Sequence, residues 1–368
     1  MTRFSIILSA VLAVGLAQPA RAQTDIPIGL AVALTGPISP IGEQARRGAE
    51  AAVAQINAEG GVGGRRLRLV PADDACDPRQ AVSVANRLVA DGISLVLGHL
   101  CSGAAIAAAS VYAESGTLMV TASATNPALT ERRIADVFRA CGRDDEQGRI
   151  AGELLARRWF GKRIALIHDR SVYGKGLVDQ AVVAMREHGM IPSMAAAIRT
   201  GEHDFRTIVA RLRKQRIEVV YFGGYHNELG RLVRQAREQN VDAVFIGGEA
   251  MATPEFWSIA GMAGEGTLFT DAPEVKRRPA AAAAARQLRA LGAEPDNFSL
   301  YHYAAVQLLA RAIAAAGSDD PAAVGRALRD GSFDTVVGTM AFDVKGDLKA
   351  PGYVVYEWRA GAFEAARL

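Results

Sequence analysis

The sequence predicts an α/β chain built as two similar lobes, each an open parallel sheet. Two observations carry this. Short apolar runs alternate with amphipathic helical stretches, the pattern of strands covered by helices. The rhythm then leads out of one unit near Cys141 and restarts with a helix at Gln147, giving two successive units. Strand–helix repetition by itself also fits a closed barrel, and it is the restart that favours two lobes.

The elements follow in order. Ile26–Leu34 reads as a strand, and Gly42–Glu59 has helical spacing of small and apolar residues. After the glycine-rich turn Gly60–Gly64 come strand Arg66–Ala72, helix Pro78–Asp91, strand Ile93–Gly98, helix Gly103–Ser115 and strand Thr117–Thr121. Val137–Cys141 is strand-like and leads out of the first lobe. The second unit begins with helix Gln147–Trp159 and strand Arg163–His168. It continues with helix Gly176–Gly189, a strand near Met194–Ile198, helix Phe205–Gln215 and strand Glu218–Phe222. Helix Leu229–Asn240, strand Ala243–Ile246 and strand Gly266–Thr270 close it. Residues 279–329 are mostly helical, with Asp319-Asp320-Pro321 as a helix start. Val336–Phe342, a turn at Lys345-Gly346-Asp347 and Tyr353–Trp358 read as strand, turn, strand.

The chain of 368 residues, 50% hydrophobic and 22% charged, can bury two ordinary cores. Its formal net charge of +3 gives no electrostatic footprint for nucleic acid or an anionic membrane. The run Lys276-Arg277-Arg278 is read as a solvated face. At the N-terminus Arg3 precedes an apolar run, Phe4 to Ala17, and Ala20-Arg21-Ala22 has the small-x-small form of a cleavage site. Residues 1–22 are therefore read as a signal peptide, cleaved after Ala22, and the mature chain as periplasmic. The run is too short for a bilayer-spanning helix, which needs about 20 apolar residues. Removing Arg3 and Arg21 takes the net charge from +3 to +1. In an oxidising compartment Cys76 and Cys101 could pair, each ending a strand, which would leave Cys141 as a buried, inert thiol.

Enzyme signatures are missing. There is no phosphate loop, no G-x-G-x-x-G after a strand and no G-x-S-x-G elbow around Ser102. The six histidines show no metal-ligand spacing, so neither metal nor cofactor is expected. Gly174-Lys175-Gly176 reads as a tight turn opening a helix. What recurs is polar and aromatic residues at the carboxyl ends of strands, where open α/β sheets hold ligands. Leu100-Cys101-Ser102 and Ser123-Ala124-Thr125 come from one lobe. Tyr173-Gly174, Gly223-Gly224-Tyr225 and Gly247-Gly248-Glu249 come from the other. Their chemistry suits a zwitterion. The hydroxyls of Ser102 and Thr125, with N–H groups at helix starts, can hold a carboxylate. Glu249 can pair with an ammonium, and Tyr173 and Tyr225 offer hydroxyls and ring faces.

Several stretches also carry a family likeness: Asp73-Asp74-Ala75-Cys76-Asp77-Pro78, Gly98-His99-Leu100-Cys101-Ser102, His168-Asp169 with Tyr173-Gly174, and Tyr221-Phe222-Gly223-Gly224-Tyr225-His226. Asp334-Thr335-Val336 and Lys345-Gly346-Asp347-Leu348-Lys349 match near the end. Over nearly its whole mature length the chain resembles the leucine/isoleucine/valine-binding proteins of ABC importers, the type I periplasmic binding proteins. The resemblance implies a disulfide between Cys76 and Cys101. It implies a carboxylate-binding set of Ser102, Ser123 and Thr125, with further zwitterion contacts at Tyr173, Tyr225 and Glu249. Leu100, Cys101 and Phe298 fall on the side-chain pocket. Ile41 stands where the family often has an aromatic residue, which bears on side-chain specificity. Ser123 stands where it often has alanine, a contact made mainly by backbone. The likeness further implies a three-segment hinge, near residues 141–144, 270–273 and 347–351. One lobe would then comprise 23–142 plus 272–348, the other 143–271 plus 349–368. The expected function is a monomeric, non-enzymatic carrier that presents a branched-chain amino acid to an inner-membrane ABC permease. The rivals are another small amino acid or amide as ligand, a soluble periplasmic sensor, and an exported enzyme.

Overall fold

The computed structural model describes residues 25–349 and 351–367. The signal-peptide reading falls on residues 1–22, outside these. Among the described residues no helix is long and apolar enough to cross a membrane.

The first sheet contains β1 (Ile26–Val32), β2 (Leu67–Asp73), β3 (Leu95–Gly98), β4 (Leu118–Thr121) and β5 (Val137–Arg139) in the order β2-β1-β3-β4-β5, all parallel. β3 and β4 are buried along their whole length, as strands with both faces covered must be. Between the strands run α1 (Ser39–Ala58), α2 (Pro78–Ala90), α3 (Ser102–Ser115) and the short α4 (Ala128–Glu131). Local chemistry sets their ends. The Asp77 carboxylate accepts from the N–H groups of Arg79 and Gln80, with Pro78 in the first turn, and Gly116 closes α3 in the left-handed region. At Gly98 (φ 139°) a Cβ would lie 2.1 Å from the Ala31 carbonyl oxygen, so only glycine lets β3 close on β1 there.

The second sheet has the order β14-β13-β10-β9-β8-β6-β7. Its strands are β6 (Ile164–His168), β7 (Met194–Ala197), β8 (Val219–Gly223), β9 (Val244–Gly247), β10 (Leu268–Asp271), β13 (Val354–Arg359) and β14 (Ala362–Ala365). Its helices are α5 (Asp144–Trp159), α6 (Val172–Glu187), α7 (Arg206–Lys214), α8 (His226–Glu238) and α9 (Pro254–Ala260). Acidic residues open α5 and Arg157 and Arg158 end it, in line with its dipole. The chain crosses between lobes three times: between Arg139 and Asp144, after Asp271, and after Asp347. Between the last two crossings it returns to the first lobe as α10 (Ala282–Ala290), α11 (Asn297–Ala316) and α12 (Pro321–Asp330). There α11 packs on α1 and α12 on β4.

Two readings of the sequence need correction. Val336–Phe342 is not one strand. β11 (Phe333–Thr335) and β12 (Gly338–Met340) form a small hairpin, and Tyr353–Trp358 supplies β13, which pairs antiparallel with its neighbour β10 in the second sheet. Alternation marks a strand but does not choose its partner. Gly174-Lys175-Gly176 is no turn: Ser171 caps α6 by accepting from Gly174 N at 2.9 Å, so the helix starts at Val172 and carries Tyr173 in its first turn.

Candidate ligand-binding cleft

The first wall of the cleft is made where β3 and β4 end. Cys101 is the N-cap of α3 but offers no side-chain hydrogen bond, so the first-turn N–H groups of this helix have no side-chain cap. Such an end favours an anion. Ser102 is the first residue of the helix, and its hydroxyl accepts from Asn126 N at 3.2 Å. The loops around it are tied together. Ser123 Oγ donates to the Leu100 carbonyl (3.1 Å) and Thr121 Oγ1 to that of His99 (2.9 Å). The Cys76–Cys101 disulfide spans Cα atoms 5.4 Å apart. β2 and β3, which lead into these cysteines, are not neighbours in the sheet, since both flank β1. The bridge therefore passes across the carboxyl end of β1. Beneath it the buried His99 lies between Asp74 Oδ2 (2.6 Å from Nδ1) and the Tyr112 hydroxyl (3.0 Å from Nε2).

The opposite wall centres on Glu249, in the short turn that follows β9. Its carboxylate accepts from Gln147 Nε2 at 2.7 Å, from the Tyr173 hydroxyl at 2.8 Å and, across the cleft, from Thr125 Oγ1 at 3.4 Å. Gln147 cannot turn over, because its Oε1 accepts from Thr270 Oγ1 (2.6 Å) and from Glu249 N (3.2 Å). Burial pushes Glu249 above the usual carboxylate range, against the pull of the hydrogen bonds from Gln147 and Tyr173. Asp144, fully buried with Oδ2 unpartnered, is pushed up by burial and by the nearby Glu249. The buried Arg139 pulls Asp144 down, but by less than burial and Glu249 push it up. Its guanidinium is engaged by Asp347 (2.8 Å) and by the carbonyls of Ala124 and Asn126. Glu249 has no ion-pair partner among the described residues.

Two adjoining cavities lie between these walls. One, of about 20 Å³, is lined by Ile41, Leu100, Ser102, Ser123, Tyr173, Tyr225, Glu249, Ala250 and Phe298. The other, of about 40 Å³, shares Ser123, Glu249 and Phe298 and adds Thr125, Asp271, Asn297, Tyr301 and Tyr353 among others. Nine of the ten residues singled out in the sequence thus line one cavity or the other. The tenth, Cys101, lines neither; it is held in the disulfide just behind Leu100 and Ser102. Gln147, Asp144, Ala250, Asp271 and Asn297 were not foreseen. Cys141 is free and buried, and burial raises its thiol, although it borders the second cavity. The lobes are drawn together. Carboxamides bridge them from Asn126 to the Val172 carbonyl (2.9 Å), from Asn227 to the Pro37 carbonyl (2.7 Å) and from Gln44 to Thr253 Oγ1 (3.2 Å).

Two open, mainly parallel sheets, three chain crossings and a cleft lined from both sides define a two-lobed solute-binding protein. Residues 25–362 match the family described as "Periplasmic binding protein", and the chain belongs to that family. It is 42% identical to Leu/Ile/Val-binding protein homolog 1 of Brucella suis biovar 1, over 98% of this chain and 97% of that one. It is 41% identical to the Leu/Ile/Val-binding protein BraC3 of Rhizobium johnstonii, over 98% of each. Among solved structures it is similar to the leucine-binding protein LivK of Thermotoga maritima. There the TM-score is 0.84 at 25% identity, covering 93% of this chain and 97% of that one. The Streptococcus pneumoniae branched-chain amino acid transporter substrate-binding protein LivJ, solved with isoleucine, gives a TM-score of 0.84 at 26% identity. That match covers 93% and 98% of the two chains.

Proposed function

We propose that this chain is the periplasmic solute-binding component of an ABC importer and captures leucine, isoleucine or valine between its lobes. One observation carries the reading: a carboxylate with no cationic partner among the described residues, Glu249, stands across a small cavity from the start of α3, which has no side-chain cap. An α-amino acid satisfies both at once, its ammonium at Glu249 and its carboxylate at the α3 N–H groups with Ser102, Ser123 and Thr125. Tyr173 and Tyr225, in tilted ring contact at 5.2 Å, complete the polar end. Ile41, Leu100 and Phe298 form the apolar wall for an aliphatic side chain, with the Cys76–Cys101 bridge behind it. The small cavities favour a compact solute over a peptide or a sugar. An amide, lacking the ammonium, would leave Glu249 buried and unpaired.

In this reading the mature chain starts at Gln23 and is a monomer. The lobes comprise 23–142 plus 272–348 and 143–271 plus 349–368, and the closed form is what the inner-membrane permease accepts. The test is uptake of labelled leucine by the permease reconstituted in proteoliposomes. Stimulation by the wild-type chain but not by Glu249→Ala is expected. Leucine binding with no stimulation of uptake would replace the carrier by a periplasmic sensor.

A further inference from the structure

The second cavity has a chemistry that one aliphatic amino acid does not use. It shares Ser123, Glu249 and Phe298 with the first cavity but lies away from Ile41 and Leu100, and its far wall is polar. That wall carries Asp271, buried at the carboxyl end of β10. Asp271 Oδ2 accepts from Asn297 Nδ2 at 2.8 Å and Oδ1 from Ala272 N at 2.7 Å. A carboxylate has about four acceptor positions, so two donors leave it unsaturated. The Tyr353 hydroxyl, on the same cavity, is buried and has no hydrogen-bond partner. Among the described residues no lysine, arginine or histidine lines the cavity, yet Glu249 and Asp271 both do. A single ligand ammonium answers only one of these carboxylates. Burying the other without a cation is unfavourable.

We propose that this cavity is a subsite for a cationic side-chain terminus, so that the cleft also takes short diamino acids. The inference rests on the zwitterion reading above. The α-ammonium stays at Glu249, and a second ammonium on a two-carbon arm reaches Asp271, with Asn297 fixing the carboxylate and Tyr353 offering its oxygen. The arm must be short, because the cavity offers only about 40 Å³.

The matched probes are 2,4-diaminobutyrate and norvaline, whose side chains differ only in a terminal ammonium against a methyl group. Both are titrated calorimetrically at pH 7 into the mature protein, wild type and Asp271→Asn. The expected result is that both bind wild type, and that Asp271→Asn weakens 2,4-diaminobutyrate at least about tenfold while norvaline changes less than about threefold. Wild type binding norvaline but not 2,4-diaminobutyrate overturns the proposal. So does Asp271→Asn weakening both alike, or neither, since Asp271 then acts on the hinge or not at all. Wild type binding neither probe sinks the zwitterion reading itself, and this proposal with it.

Discussion

Replacing Glu249 by glutamine keeps the shape of the side chain and removes its charge. Gln147 and the Tyr173 hydroxyl donate to the same Glu249 oxygen and Gln147 is locked by Thr270, so the new amide keeps its carbonyl there and turns its NH₂ toward the Thr125 hydroxyl, which can rotate to accept it. The ligand ammonium keeps one carbonyl acceptor but loses its counter-charge in a site that excludes water. Removing one partner of a buried pair costs about 3–5 kcal/mol. The retained acceptor places this change near the lower end, about 3 kcal/mol, or roughly a 150-fold rise in the leucine Kd. The ligand-free protein behaves differently. Glu249 and Asp144 oppose each other's ionisation, so the substitution relieves a strain and the ligand-free Tm does not fall. Calorimetric titration with leucine, beside a thermal melt without ligand, reads both effects. A leucine Kd within about fivefold of wild type would refute Glu249 as the ammonium partner. A large drop in the ligand-free Tm would refute the electrostatic account of its surroundings.

Three further outcomes follow from the geometry. Cys76→Ser with Cys101→Ser opens a loop with a sequence separation of 25, and the chain-entropy model puts the loss at about 3.5 kcal/mol; denaturant titration of the oxidised protein against the double variant checks it, and equal midpoints would contradict it. Burial holds Glu249, Asp144 and Asp271 above the usual carboxylate range, so the folded ligand-free protein binds more protons than the unfolded chain. The stability they contribute is present below the ordinary carboxylate range and lost as pH rises through their raised values, whereas the leucine ammonium requires Glu249 ionised. The rise in Tm caused by saturating leucine is therefore expected to grow from pH 5 to pH 8, and a shrinking rise would reverse the argument. Gly48→Ala puts a Cβ 1.9 Å from the Ser299 carbonyl oxygen, where α1 crosses α11. The cost is about 1–3 kcal/mol of stability, and because the same helices carry Ile41 and Phe298, leucine affinity falls with it; an unchanged melt and Kd would contradict this.

Much of the cleft was legible because open parallel sheets place their ligands at strand ends, and strand ends can be read from apolar runs. Leu100, Ser102, Ser123 and Thr125 follow β3 and β4 directly, and Tyr173, Tyr225 and Glu249 stand in the same relation to β6, β8 and β9. Ile41 and Phe298 came from the family resemblance, since nothing in the spacing of α1 or α11 marks them. What escaped lies where the chain changes lobe. Asp144 and Gln147 sit where the first crossing becomes a helix, and the sequence reading began that helix at Gln147. Asp271 meets Asn297 only because the second crossing brings α11 back beside the end of β10. β13 was visible as a strand, but its antiparallel place against β10 depends on the third crossing. Tertiary routing, rather than local pattern, decides each of these.

The central claim is that the cleft binds a branched aliphatic amino acid through its zwitterion. Titration calorimetry of the refolded, ligand-stripped mature chain with leucine, isoleucine, valine, alanine and phenylalanine tests it most directly. One-to-one binding with the branched residues tightest is the predicted result. No heat with any of the five would leave the two-lobed fold standing and contradict the assignment of its ligand.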